Sequence, residues 1–176
     1  MILEALAAPP DPELDVLLGA GPARDLRAAL RERARRWAHA VAPRCALCAA
    51  TVEEAAVALA DHEGPVLLAA PDVPGLGAAT AAAALDDLAH GAGVALGAAH
   101  DGRPYLVALG RPEPELLALA DAPFEGVVAA LAERGMALGM LRAERRLVSA
   151  ADARALALDP LAPPELARLL APLAGP

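Results

Sequence analysis

Short apolar runs alternate with longer stretches of helical periodicity along this chain. The clearest run is PVLLAA at residues 65–70, which lies between Gly64 and the breaker sequence PDVPG at 71–75. Because nearly every residue in it is apolar, the run predicts a strand buried on both faces of a sheet. Strands that alternate with helices of about ten or more residues form βαβ units. The sequence therefore predicts an α/β three-layer sandwich with a mainly parallel sheet.

The same patterns place the individual elements. The predicted strands are residues 14–18, 44–50, 65–70, 93–97, 105–109 and 136–141. The predicted helices are residues 24–41, 52–62, 78–90, 113–120, 124–133, 149–158 and 165–170, with Thr51 and Ser149 as N-caps. Asp101-Gly102 separates two apolar runs and predicts a hairpin near residues 94–109.

The composition indicates one domain with a core of small side chains. The chain has 176 residues, and aromatic residues make up only 2% of them, so Ala, Leu and Val must fill the interior. No linker divides the chain. We expect a single domain over residues 1–176, with the N-terminal segment 1–12 and the Pro-rich helical tail 159–176 at its periphery.

Charge and hydropathy exclude several classes of partner. The formal net charge is −8, and an acidic surface repels both nucleic acid and anionic membranes. No apolar run reaches the length of about 20 residues that a membrane span needs, and the first residues lack the pattern of a signal peptide. We therefore expect a cytoplasmic protein that binds neither nucleic acid nor membranes. Cys45 and Cys48 should be reduced, buried thiols rather than a zinc or redox pair.

A weak glycine motif follows the first predicted strand. Gly19-Ala20-Gly21 precedes a helix whose first basic residue is Arg24. A helix N-terminus attracts anions, so Gly19, Gly21 and Arg24 are candidates for holding a nucleotide phosphate. The full dinucleotide pattern is missing, however, and a plain strand-to-helix turn explains the same residues.

Three stretches together carry a family likeness: GPVLLAAPDVPGL at residues 64–76, VALGAAHDGRPYLVALG at 94–110 and AALAERGMAL at 129–138. In order and spacing they resemble the bacterial glycosyltransferase-like proteins of the arsenosugar-biosynthesis type, over roughly residues 14–158. Those proteins are similar to the molybdenum-cofactor and 2-phospholactate guanylyltransferases. The resemblance implies a GT-A fold and a nucleotide or nucleotide-sugar as the ligand.

The resemblance also implies a metal site at the carboxyl edge of the sheet. Asp72 matches the family's Asp-x-Pro-Gly turn after a buried strand, and Asp101 matches its Asp-Gly turn. Open α/β sheets bind ligands at this edge, where carboxylates can hold Mg²⁺ or Mn²⁺ against a diphosphate. Asp72 would then be a metal ligand, and Asp101 would position the metal or the acceptor as the catalytic residue. Both residues also suit plain turns, and His100 would be a partner only if the strand end is open.

Departures from the family pattern indicate erosion. Residues 1–12 contain no Gly/Arg/Lys loop for a nucleotide, Leu147-Val148-Ser149 stands where an Asp-x-Asp pair is usual, and Arg103 replaces the second Gly of the turn. We therefore expect a truncated GT-A domain and a nucleotidyl/glycosyl-transferase-like protein with weak or lost catalysis. The alternative is a non-catalytic interaction module that forms a homodimer through its Ala-rich helices or an open sheet edge.

Overall fold

The computed structural model describes residues 1–42 and 47–174. Within them the strands are β1 (Ile2–Leu3), β2 (Cys48–Ala49), β3 (Val66–Ala69), β4 (Val94–Ala98), β5 (Pro104–Leu109) and β6 (Leu138–Met140). The helices are α1 (Pro12–Leu18), α2 (Ala20–Val41), α3 (Val52–Ala58), α4 (Ala78–Ala89), α5 (Pro114–Leu117), α6 (Phe124–Glu133), α7 (Ala150–Ala157) and α8 (Pro164–Leu170). Three 3₁₀ turns cover Glu4–Leu6, Ala118–Asp121 and Ala171–Leu173.

The strands form one sheet in the order β2-β1-β3-β5-β4-β6. β1 pairs in parallel with β2 and β3, and β4 pairs in parallel with β6. β5 is antiparallel to both of its neighbours, β3 and β4. β5 therefore opposes the other strands, which confirms the predicted mainly parallel sheet and places most strand carboxyl ends at one edge.

The predicted hairpin is confirmed by the pairing of β4 with β5. Val94 lies opposite Leu109, and the register shifts between Gly97 and Ala98, just before the turn. Every residue of β5 is buried, as is every residue of β3. Strands buried on both faces are the pattern that residues 65–70 predicted.

Helices cover both faces of this sheet. α2 and α4 contact each other, α2 contacts β1, and α4 contacts β4, β5 and β6. The Ala118–Asp121 turn contacts β5, α3 and α6 and belongs to the second helical layer. No helix of the described residues is both long and apolar enough to cross a bilayer.

A second, smaller core corrects the first predicted strand. Residues 14–18 are helical and belong to α1, because Asp11 caps the helix and Pro12 occupies its first turn. Leu14, Leu17 and Leu18, at helical spacing, pack into a cluster formed with α2, α7 and α8, whereas Val16 is 85% exposed. The apolar run is thus one face of a helix, a pattern that short runs do not distinguish from a strand.

Both terminal segments differ from the predicted peripheral position. Ile2 and Leu3 are buried between β2 and β3, so residues 1–12 supply a strand of the sheet. Leu166 and Leu170, within the 159–176 tail, are fully buried in the second core. In both segments a few large apolar side chains are enough to dock short elements that the surrounding prolines obscure in the sequence.

The predicted burial of the thiols is wrong for Cys48, which is exposed in the short edge strand β2. Cys45 lies outside the described residues, as does the first part of the predicted strand at 44–50.

Candidate functional site

Asp72 follows β3 and Asp101 lies in the β4–β5 turn, so both sit at the carboxyl edge of the parallel strands. This is the edge at which open α/β sheets bind ligands. The 3₁₀ turn after β1 and the segment after β6 reach the same place. The topology therefore brings the two predicted metal ligands to one end of the sheet.

The Asp72 carboxylate is enclosed by protein donors. The residue is only 8% exposed, and its Oδ2 accepts a hydrogen bond from the Ala8 backbone N–H at 2.8 Å. Its main-chain oxygen accepts another from the Leu147 N–H at 2.9 Å. Burial raises the pKa of the Asp72 carboxyl above its ordinary value, while the Arg146 guanidinium and the Ala8 N–H act to lower it. The loop after β1 therefore closes onto Asp72.

The group that joins the two carboxylates is Arg146, which sequence reasoning missed. Arg146 is 3% exposed, and its Nη1 donates to Asp72 Oδ1 at 2.9 Å and to Asp72 Oδ2 at 3.1 Å. Nη1 also donates to the Leu6 carbonyl, and Nη2 donates to the Pro104 carbonyl, each at 2.6 Å. A buried charge requires this degree of pairing to be tolerated.

Asp101 contacts the other side of the same guanidinium. Its Oδ2 lies 3.1 Å from Arg146 Nε, an ion pair without hydrogen-bond geometry, so Nε is buried with no hydrogen-bond partner. Its Oδ1 accepts from the Arg103 N–H at 3.0 Å, and Gly102 has a φ of 78°. Asp101 thus shapes the turn, as its Asp-Gly pattern predicted, and also faces Arg146.

The structure does not bring the remaining candidates to this site. Gly19 is the corner between α1 and α2, with a φ of 83°, and Gly21 lies inside α2. Arg24 is exposed and lies 3.5 Å from Asp25. The predicted strand-to-helix loop is a helix–helix corner, because residues 14–18 are helical. His100 is exposed, and its backbone N–H donates to the Glu144 carbonyl at 3.2 Å.

Different residues of α2 reach the carboxyl edge. Arg27 and Arg31 line a small cavity of about 90 Å³ beside Asp72. Arg27 is paired there with Asp15 at 2.6 Å, and Arg31 lies 3.3 Å from Glu4. Both arginines that face the cavity are therefore already paired with a carboxylate. The volume of the cavity is also well below the ~300 Å³ of small ligand sites.

A larger cleft of about 400 Å³ opens on the other side of Arg146. Its walls come from α2, the turn after β3, the segment after β6, and the α7–α8 region, and its polar lining includes Arg33, Glu144, Arg145 and Asp152. Arg33 Nε donates to the Pro74 carbonyl at 2.9 Å, and Arg145 pairs with Asp152 at 3.2 Å. This volume is in the range of ordinary ligand sites.

The cleft wall contains one close approach. A Cβ on Gly75 would clash with the Glu144 carboxylate, so only glycine fits without moving that side chain. Glu144 is held by Arg142, whose Nη2 lies 2.7 Å from its Oε1. The Gly75 of the predicted Asp-x-Pro-Gly turn is thus explained by packing against the chain that follows β6.

The described residues contain no cluster of three or more His, Cys, Asp and Glu side chains that would hold a metal ion. Asp72 and Asp101 face one guanidinium instead of one another. Arg146 directly precedes the Leu147-Val148-Ser149 segment in which the family's carboxylates are absent, but this position alone does not mark the residue as buried.

Comparison with known proteins supports the fold. The structure is similar to a crystal structure from Desulfovibrio desulfuricans G20 whose name is "putative nucleotide-diphospho-sugar transferase", with a TM-score of 0.72 and 16% sequence identity. The match covers 98% of this chain and 95% of that chain. The chain therefore shares the fold of that protein, which is consistent with the expected GT-A-like architecture. No curated protein sequence matches the chain. The model of the family described as "Uncharacterized protein conserved in bacteria (DUF2064)" matches residues 7–128, more than half of the chain, and the chain therefore belongs to this family.

Proposed function

We propose that this chain is a nucleotidyl- or glycosyl-transferase-like protein whose metal and nucleotide site is eroded and whose catalysis is weak or lost. The fold and the strand-end position of Asp72 and Asp101 support descent from such a scaffold. The observation that carries the proposal is the enclosed Asp72 carboxylate, which accepts from the Ala8 N–H and from Arg146. The two parts that would bind a nucleotide, the loop after β1 and the strand-end carboxylate, bind each other.

Electrostatics makes a catalytic metal at Asp72 costly. A cation beside this carboxylate would lie about 4 Å from the Arg146 guanidinium. At an effective dielectric constant near 20, that repulsion is on the order of 4 kcal/mol for each unit of metal charge. If activity remains, Asp72 would be the metal ligand and Asp101 would position metal or acceptor, but both would first have to release Arg146.

The cleft of about 400 Å³ is where residual nucleotide binding would occur. Arg145 lines the cleft, and its side chain is 53% exposed. Its guanidinium can therefore bind a phosphate, and doing so would break only a weak ion pair with Asp152. Arg154 is exposed on the neighbouring helix α7 and does not line the cleft. The two arginines make a matched pair for testing this site.

A thermal-shift screen tests the proposal with GTP, CTP, UTP, ATP and common nucleotide sugars at millimolar concentration. A ligand at 100 times its dissociation constant adds about 2.7 kcal/mol, which is a shift of several degrees at roughly 2–4 °C per kcal/mol. We expect a smaller shift with at least one nucleotide, reduced in Arg145→Ala and retained in Arg154→Ala. Turnover of that nucleotide or nucleotide sugar should be slow or absent.

Two results would contradict the proposal. Rapid metal-dependent turnover that is lost in Asp72→Ala would show a functioning transferase. Flat melting curves across the panel, together with a mass that rises with protein concentration in sedimentation, would instead favour the interaction-module alternative and its homodimer.

A further inference from the structure

The resemblance places a divalent cation between Asp72 and Asp101, and the residues at that place do not fit one. Arg146 Nη1 lies 2.9 Å from Asp72 Oδ1, and Arg146 Nε lies 3.1 Å from Asp101 Oδ2. The guanidinium therefore occupies the space between the two carboxylates. The guanidinium is buried, with Arg146 only 3% exposed, so the space between the two carboxylates is filled by the side chain itself.

The oxygen atoms around this guanidinium form the kind of set that hard cations bind. Five oxygens lie within 3.1 Å of its nitrogens: both carboxylate oxygens of Asp72, Oδ2 of Asp101, and the carbonyls of Leu6 and Pro104. Mg²⁺ takes carboxylate and carbonyl oxygens at about 2.0–2.1 Å, so it would bind some of these five oxygens and complete its shell with water. The surroundings of Arg146 are those of a cation site, and the cation in it is a side chain.

We propose that Arg146 is a covalently attached replacement for the divalent cation, so that the native protein binds neither Mg²⁺ nor Mn²⁺ at Asp72 and Asp101. The inference rests on the proposed function, since the eroded transferase site is the one that Arg146 fills. Any nucleotide that binds the neighbouring cleft does so without a metal bridge to Asp72. Removing the guanidinium uncovers a divalent-cation site.

The fit of Arg146 is also incomplete in one respect. Its Nε is buried without a hydrogen-bond partner, although Asp101 Oδ2 is 3.1 Å away. A native arginine pocket usually satisfies every buried donor. The unsatisfied Nε means that the oxygens around the guanidinium do not match every donor of an arginine.

Titration with Mn²⁺ alone, in the absence of nucleotide, tests this inference. Electron paramagnetic resonance of free Mn²⁺ gives the affinity for the native chain, for Arg146→Ala and for the control Arg145→Ala. We expect Arg146→Ala to bind one Mn²⁺ at least about tenfold more tightly than the native chain, because a buried positive charge is removed. Arg145→Ala should behave as the native chain does. Adding Asp72→Asn to Arg146→Ala should abolish the gain.

Arg146→Ala leaves two carboxylates without their cation, so its folding is measured by circular dichroism with and without Mn²⁺. Folding that depends on Mn²⁺ supports the inference as directly as tighter binding does. The inference is wrong if Arg146→Ala neither folds nor binds in millimolar Mn²⁺, or if its binding survives Asp72→Asn. It is also wrong if the native chain binds Mn²⁺ through Asp72. Because no nucleotide is present, these outcomes are independent of the nucleotide screen.

Discussion

Asp72 and Arg146 join the carboxyl end of β3 to the chain that follows β6. Nη1 of Arg146 lies 2.9 and 3.1 Å from the two Asp72 oxygens, and both residues are buried. The same guanidinium holds the Leu6 carbonyl after β1 and the Pro104 carbonyl at the start of β5. One side chain thus ties together four segments at the edge of the sheet where the candidate site lies.

Breaking this pair from one side should be strongly destabilising. Asp72→Ala leaves the Arg146 guanidinium buried without its main counter-charge, and the expected cost is about 3–5 kcal/mol of unfolding free energy. Asp72→Ala combined with Arg146→Met removes both charges and should cost clearly less than the sum of the single changes. Urea unfolding of the native chain, both single variants and the double variant gives the coupling energy.

The exposed pair Arg145–Asp152, at 3.2 Å, supplies the comparison. Arg145→Ala should cost less than about 1 kcal/mol, since the Arg145 side chain is 53% exposed and solvent screens such a pair. Equal losses for Asp72→Ala and Arg145→Ala would mean that burial adds nothing at Arg146, against the electrostatic account of the site.

The α/β class could be predicted from the sequence because the patterns that indicate its strands, helices and turns are local. Residues 65–70 and 124–133 carry enough apolar pattern to identify β3 and α6, and Asp101-Gly102 identifies the β4–β5 turn. Residues 14–18 misled because a run of five mostly apolar residues suits a strand as well as a helix. Only the second core, which buries Leu14 and exposes Val16, decides between them.

The sequence predicted where the candidate site lies in the fold, but not the arginine that fills it. The family resemblance implied that Asp72 and Asp101 lie at the carboxyl edge of the sheet, and the structure has both of them there. The partner of both, Arg146, comes from a segment far along the chain, and its neighbours Arg142 and Arg145 are exposed. Nothing local distinguishes Arg146 from these two, because its burial depends on oxygens supplied by the segments after β1 and β3 and by the start of β5.

Gly97 is required by the ring of Tyr105 on the neighbouring strand. A Cβ at Gly97 would lie 2.6 Å from two ring carbons of Tyr105, and Tyr105 is fully buried. Gly97→Ala should therefore cost about 1–3 kcal/mol through overpacking. Gly110→Ala is the control, since nothing lies within 4 Å of a Cβ there. Chemical denaturation of both variants measures the difference, and a neutral Gly97→Ala would contradict the packing argument.

Ser149 starts α7 through a reciprocal pair of hydrogen bonds. Its Oγ accepts from the Asp152 N–H at 3.1 Å, and Asp152 Oδ2 accepts from the Ser149 N–H at 3.0 Å. Ser149→Ala should cost about 1 kcal/mol and lower the melting temperature by roughly 2–4 °C. Ser149→Thr keeps the hydroxyl and should melt close to the native chain. If both variants melt at the same temperature, the hydroxyl at position 149 does not stabilise the start of α7.

Tyr105 makes the stability of the folded protein depend on pH in the alkaline range. Its hydroxyl donates to the Arg142 carbonyl at 2.9 Å, and burial, with a smaller contribution from Glu144, raises its pKa to about 12. The unfolded chain loses the same proton near the ordinary value of about 10. Between these values the folded state binds more protons, so stability is fully present below pH ~10 and falls by about 1.4 kcal/mol per pH unit above it.

Tyr105 is the single tyrosine of the chain, so its phenolate absorbance can be followed without overlap from another tyrosine. The folded protein should titrate near pH 12, and the urea-unfolded protein near 10. Tyr105→Phe loses one hydrogen bond, worth about 1 kcal/mol at neutral pH, but should lack the part of the alkaline slope that this phenol contributes. The difference in slope between the two proteins isolates Tyr105 from the arginines that lose protons at still higher pH. If Tyr105 of the folded protein titrates near pH 10, its phenol reaches solvent, and the β4–β5 hairpin must open to expose it.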